Sequence, residues 1–138
     1  MHKAKASVIS CMDFRFHDKI QAFLQYKDYL GKCDEIAVAG GTRDFITPVE
    51  DADGEYIWKQ LELSIKLHDP EEIIFIDHQD CGGYGQDDTI PLGLSKKEDL
   101  EMHKKFCTKL RKVLMQKHPD KKFTFLYAPL RGDIVECE

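Results

Sequence analysis

Cys11, His78 and Cys81 are the residues of this 138-residue chain whose types and spacing point most directly to chemistry. Two thiolates and one imidazole suit a borderline-soft ion such as Zn²⁺. Three protein ligands leave a fourth position for water or substrate, which is the arrangement of a catalytic metal site. His78 and Cys81 stand three residues apart, and Gly82-Gly83 lets the backbone turn so that both can face one ion. Asp13 and Arg15 follow Cys11 at alternate positions, so in an extended chain they project to one side and form a charge-assisted pair. Such a pair would aim the Asp13 carboxylate at water or hydroxide in the open metal position.

These residues need elements that bring them together. Four short segments rich in β-branched or aromatic residues read as strands: Ala6 to Ser10, Glu35 to Ala39, Glu72 to Asp77 and Phe123 to Tyr127. Between them lie stretches of helical period at about Phe16 to Leu30, Glu55 to His68 and Lys96 to Lys117. Gly31, Asp69-Pro70 and His118-Pro119 mark their ends. Ser95 and Glu98 have the spacing of a capping box at the start of the third. Apolar strands joined by helical crossovers predict an α/β fold, a mainly parallel central sheet flanked by helices. Asp133 to Cys137 reads as a short edge strand, while 46–54 and 82–94 read as long loops. Ligands of an open parallel sheet gather at the carboxyl ends of its strands. There the chain places Cys11 to Arg15, Ala39 to Asp44 and His78 to Gly83.

Bulk properties exclude several function classes. The hydrophobic content of 42% and aromatic content of 10% fit a single domain over residues 1–138. Twenty Lys and Arg stand against 25 Asp and Glu, giving a formal charge of −5. The basic residues are scattered at helical spacing, so no nucleic-acid surface is expected. No apolar run approaches the ~20 residues of a helical membrane span, and the first residues do not read as a secretory signal. The expected location is cytoplasmic. In a reducing compartment the five cysteines read as thiols or ligands, with Cys33, Cys107 and Cys137 ordinary thiols. His17 and His103 read as packing or surface residues, and Trp58 and the phenylalanines as core.

Cys-x-Asp-x-Arg at Cys11, Asp13 and Arg15, followed by His-x-x-Cys-Gly at His78, Cys81 and Gly82, resembles the paired signatures of the β-class carbonic anhydrases. Ala39-Gly40-Gly41 is similar to part of that family's central motif, with Ala37-Val38 and Gly41 departing from it. The resemblance implies zinc held by Cys11, His78 and Cys81, and an orienting dyad of Asp13 and Arg15. It also implies reversible hydration of CO₂ to bicarbonate by zinc-bound hydroxide, and a homodimer or higher homo-oligomer. Gly40, Gly41 and Gly82 are the candidate substrate-contacting positions, since glycines allow close backbone approach. Alternatives are a zinc hydrolase for carbonyl sulfide or carbon disulfide, and a non-catalytic zinc- or anion-binding domain. A cysteine phosphatase is disfavoured because Arg15 follows Cys11 too closely. A thioredoxin-like role lacks Cys-x-x-Cys, and a dinucleotide site lacks its glycine fingerprint after the first strand.

Overall fold

A computed structural model describes residues 2–137. Its sheet has the order β2-β1-β3-β4-β5, with β1 Ala6–Cys11, β2 Cys33–Val38, β3 Glu72–His78, β4 Lys122–Ala128 and β5 Val135–Glu136. The first four strands are parallel, as the continuous apolar strands predict; the short last segment forms the edge strand β5, which runs antiparallel to β4. The helices are α1 His17–Tyr26, α2 Arg43–Ile46, α3 Asp51–His68 and α4 Lys96–Lys117.

Side chains alternate across each strand, so one strand feeds two cores. Ile73 and Phe75 of β3 join Leu61 of α3 and Leu110 and Leu114 of α4 on one face. Ile74 and Ile76 join Ile20 and Leu24 of α1 on the other. Every residue of β3 is buried, as a central strand covered on both faces requires.

The connections position the site. From β1 the chain moves to β2 on one side, then returns past β1 to β3 on the other. Connections leaving in opposite directions open a crevice beyond the carboxyl ends of β1 and β3. Cys11 is the last residue of β1 and His78 the last of β3.

Several boundaries differ from the sequence reading: β1 and β3 run one residue further, β4 gains one residue at each end, β5 is shorter than Asp133 to Cys137, and larger differences fall at α1, β2 and α3. The segment 46–54, read as a loop, holds the end of α2 and the first turn of α3. Asp51 and Asp53 place negative charge at the N-terminus of α3, where the helix dipole favours it. Gly54 there is no loop residue: a Cβ on it would lie 3.1 Å from Pro48 Cγ and 3.2 Å from the Asp44 carbonyl oxygen, so glycine lets the helix pack closely. α1 ends at Tyr26 rather than near Leu30, because Asp28 already takes a left-handed conformation with φ of 60°. β2 starts and stops early, which leaves Ala39 in the turn that follows. The capping box of α4 forms in both directions, with Glu98 N–H on Ser95 Oγ at 3.2 Å and Ser95 N–H on Glu98 Oε1 at 3.1 Å. Among the described residues no helix is long and apolar enough to cross a membrane.

Candidate metal centre

The donor atoms of Cys11, His78 and Cys81 lie within 4.8 Å of one another. Sγ of Cys81 approaches Sγ of Cys11 to 3.8 Å, and Gly40 N–H donates to Cys11 Sγ at 3.4 Å. His78 Nδ1 is 2.7 Å from the Gln79 carbonyl oxygen, so Nδ1 carries the proton and Nε2 the lone pair. That Nε2 is buried and has no hydrogen-bond partner, although the residue is only 2% exposed. Phe16 stacks on the ring at 4.2 Å and fixes its plane. A buried, unpartnered nitrogen beside two sulfurs is what a soft cation would complete, and the donor set fits one.

The electrostatics prepare the same donors. Hydrogen bonding from Cys81, with help from the Gly40 N–H, lowers the Cys11 pKa well below that of an ordinary thiol, against the cost of burial. The Cys81 thiol is pushed up by its bond to Cys11 and by burial. Burial pulls the His78 imidazole down, but the Cys11 sulfur and the Gln79 carbonyl outweigh it and the net shift is upward. The Cys11 sulfur is thus the donor readier to ionise, and an incoming cation would displace the thiol protons that remain.

Asp13 and Arg15 form the expected pair, by a different route. The chain does not stay extended after Cys11; Asp13 caps a short 3₁₀ turn over Phe14–Phe16, its Oδ1 accepting from Arg15 N–H at 3.0 Å. Arg15 Nη2 and Nε then reach the carboxylate at 2.7 and 3.1 Å. The guanidinium holds the Asp13 carboxyl at about 2, well below the ordinary carboxylate range. Asp13 Oδ2 ends 3.8 Å from His78 Nε2, at the edge of the donor cluster. Arg15 also grips Asp80, through Nη1 on Oδ2 at 3.1 Å and Nη2 on the carbonyl at 3.0 Å. One side chain therefore ties the loop after β1 to the loop after β3. Asp80 carries a positive φ of 59°, which offers its carbonyl to that grip.

The glycines have distinct places. A Cβ on Gly83 would fall 2.1 Å from Gly40 N, so only glycine lets the Cys81 loop lie against the loop after β2. Gly40 donates to the Cys11 sulfur and Gly41 N–H to the Val38 carbonyl, with φ of 84° and 56° respectively. Gly82 faces open space. It borders, with Met12, Asp13, Phe14 and Arg15, an open hollow of about 380 Å³ that reaches Cys11. A second cavity of about 180 Å³ lies by Cys81, lined by Gln79, Tyr84, Leu92 and Met102 among others.

Sequence reasoning missed the polar group behind the cluster. Asp77 accepts from Thr42 Oγ1 at 2.9 and 2.8 Å and from Tyr84 OH at 3.3 Å, and meets His103 Nδ1 at 2.7 Å. Thr42 and Tyr84 hydroxyls also bond to each other. His103 Nε2 points toward Asp99, which accepts from Tyr127 OH. All are buried. The only signal was Asp77 at the inner end of an otherwise apolar strand, and its partners come from three separate segments. Arg43, also buried, donates to the carbonyls of Gly83 and Tyr84 at 3.2 and 2.9 Å and to Asp87 at 3.0 Å. It holds part of the segment read as a loop over 82–94. Of the phenylalanines expected in the core, Phe14 is 86% exposed beside the hollow, with Met12 at 65%.

Residues 1–119 match the family model described as "Putative carbonic anhydrase". An uncharacterized protein of Rickettsia bellii is 28% identical over 127 residues, 91% of this chain and 77% of that protein. Among solved structures, a tetrameric β-carbonic anhydrase of Sordaria macrospora aligns with a TM-score of 0.64 at 14% identity, covering 99% of this chain and 81% of that one. A carbon disulfide hydrolase aligns with a TM-score of 0.57 at 17% identity, covering 99% and 80%. At these identities the structural likeness speaks for the fold alone, whereas the family match spans most of the sequence and includes all three donors with the Asp13–Arg15 pair. This chain belongs to the putative carbonic anhydrase family, with the fold of the β-carbonic anhydrases.

Proposed function

We propose that the protein binds Zn²⁺ through Cys11 Sγ, His78 Nε2 and Cys81 Sγ and catalyses the reversible hydration of CO₂ to bicarbonate. The observation that carries this is the Asp13 carboxylate, locked by Arg15 at 3.8 Å from the unpartnered His78 Nε2. Zinc, when bound, supplies the Lewis acidity that makes water a nucleophile near neutral pH. Asp13 is ionised throughout the physiological range and can only accept a hydrogen bond, so it turns the attacking water's lone pair outward, toward the hollow. Arg15, bonded to both carboxylate oxygens, would hold that carboxylate away from a bound ion. Cys11 and Cys81, as thiolates, cancel the ion's formal charge, so activity should favour alkaline pH. Gly82, with Ala39 and Gly83 beside it, gives CO₂ a floor of small residues, and the apolar surfaces of Met12 and Phe14 suit an uncharged substrate; Gly40 and Gly41 lie outside this hollow.

Stopped-flow CO₂ hydration on protein of measured zinc content tests the reading. Asp13→Asn and Arg15→Ala should each lower kcat/KM by roughly 100-fold while zinc content stays at that of the parent. Full zinc occupancy with hydration no faster than buffer would overturn the anhydrase reading and leave a zinc- or anion-binding domain. The apolar rim of Met12 and Phe14 also favours carbon disulfide or carbonyl sulfide, and the carbon disulfide hydrolase shares this fold. Sulfide release by the same sample, without CO₂ hydration, would select that substrate class.

The same exposed Met12 and Phe14, together with a tetrameric relative, support a homo-oligomer that covers this rim. Light scattering that returned a monomer at micromolar concentration would reject it. Two thiolate ligands persist best in a reducing compartment, which supports a cytoplasmic location.

A further inference from the structure

Cys107 and Cys137 lie 30 residues apart in sequence, yet their sulfurs are 3.5 Å apart. Cys107 sits on the inward stripe of α4, one turn beyond His103; Cys137 directly follows β5, its N–H on the Phe125 carbonyl at 2.8 Å. Both are buried in the core between α4 and the sheet, at 1% and 0% exposure. The sequence offered no spacing that would pair them, and the fold brings them together.

We infer that Cys107 and Cys137 are a redox-active pair that closes to a disulfide, locking the end of the sheet onto α4. An S–S bond of about 2.05 Å requires the sulfurs to approach by only about 1.5 Å, within reach of side-chain rotation. Access comes from β5, whose ladder has just two residue pairs, Leu126 with Glu136 and Tyr127 with Val135. Such a short edge strand opens far more readily than the rest of the sheet, and its opening carries Cys137 outward and uncovers Cys107. The oxidant is a small disulfide of the glutathione type. One cysteine attacks it as thiolate, releasing one thiol and forming a mixed disulfide; the other cysteine then attacks that bond and releases the second thiol. Two cysteine S–H bonds and one small-molecule S–S bond are lost, and one protein S–S bond and two small-molecule S–H bonds form. The two electrons pass to the small molecule.

The other cysteines differ. Cys11 and Cys81 face the unpartnered His78 nitrogen and are ligands, while burial raises the Cys33 thiol to about 11, which slows its reaction. The inference does not depend on what the metal site does.

The test equilibrates the folded, zinc-loaded full chain with glutathione disulfide, quenches with iodoacetamide, and digests with trypsin under non-reducing conditions. The expected product joins the peptide Phe106–Lys109 to the peptide that starts at Gly132 and contains Cys137, lighter by two hydrogen atoms than the sum of the reduced pair. Cys107→Ala and Cys137→Ala should each abolish it. The oxidised protein should melt roughly 10 °C above the reduced one and return on reduction, because the bond closes a long loop. Recovery of both peptides only in alkylated form, a link that forms only after unfolding, or an unchanged melting temperature would overturn the inference. A link between Ala6–Arg15 and Leu67–Lys96 would report instead on Cys11 and Cys81, and so on metal loading.

Discussion

Asp77 and His78 are neighbours on β3, and strand alternation sends them into two different polar environments. His78 faces Phe16, Asp13 and the two sulfurs, and its Nε2 is left without a partner. Asp77 faces Thr42, Tyr84 and His103, and every contact of its carboxylate comes from the protein itself. The first group has the donor set of a cation site; the second closes around the Asp77 carboxylate, and its own unbonded nitrogen, His103 Nε2, faces the Asp99 carboxylate at 3.6 Å rather than other metal donors. Buried polarity alone therefore does not mark a site. An unpartnered donor atom aimed at others of its kind does.

The comparison breaks most sharply under titration. Hydrogen bonds from Cys81 and the Gly40 N–H hold the Cys11 thiol well below the ordinary thiol range. One thiolate should therefore be present at pH 7 before any metal is added, read as absorbance at 240 nm, and Cys11→Ser should remove it. A first thiolate appearing only above pH 8 would mean the donors are not preorganised. Next in size, Cys81→Ser should weaken zinc binding on the order of 10³-fold, measured by competition with a chromophoric chelator. Unchanged affinity would show that Cys81 is not a ligand.

Asp77→Ala attacks the other region. It strands the Thr42 and Tyr84 hydroxyls and the His103 ring in a dry core, and should cost about 3 kcal/mol in urea unfolding. Zinc stoichiometry of the folded fraction should hold, since none of the three donors is touched. Loss of zinc with little loss of stability would merge the two regions into one.

The first region could be read from sequence because its candidate ligands fall at or just after strand ends, in two short motifs, with residue types whose donor chemistry is distinctive. Cys11 and His78 needed only the strand assignment and the parallel order to be brought together. The second could not be read, because Asp77, Thr42, Tyr84 and His103 come from four segments with no shared spacing. His103 sits on the apolar stripe of α4 and reads as packing until Asp77 and Asp99 are found on either side of its ring. The same holds for Arg43 and Gly83, whose close contacts depend on the path of two loops that no periodicity predicts. Asp13 and Arg15 lie between these cases: the pair was legible, but the turn that makes it was not, because an Asp capping its own loop looks in sequence like alternation along a strand.

Tyr84 gives the finest division between the regions, since it belongs to both. Its hydroxyl bonds Thr42 and Asp77, while its ring packs with Cys11 and Cys81 and lines the cavity beside Cys81. Burial raises its pKa well above 10, so it acts as a neutral donor at any pH the protein meets. Tyr84→Phe removes the hydroxyl and keeps the ring. If the network serves the fold, the change costs about 1 kcal/mol in urea unfolding and leaves zinc affinity and its pH dependence alone, because the packing on the cysteines is intact. If zinc affinity falls instead while stability holds, the hydroxyl acts through Asp77 on the loop bearing Gly40, and the donor cluster extends one layer deeper into the core than its three candidate ligands and the Asp13–Arg15 pair.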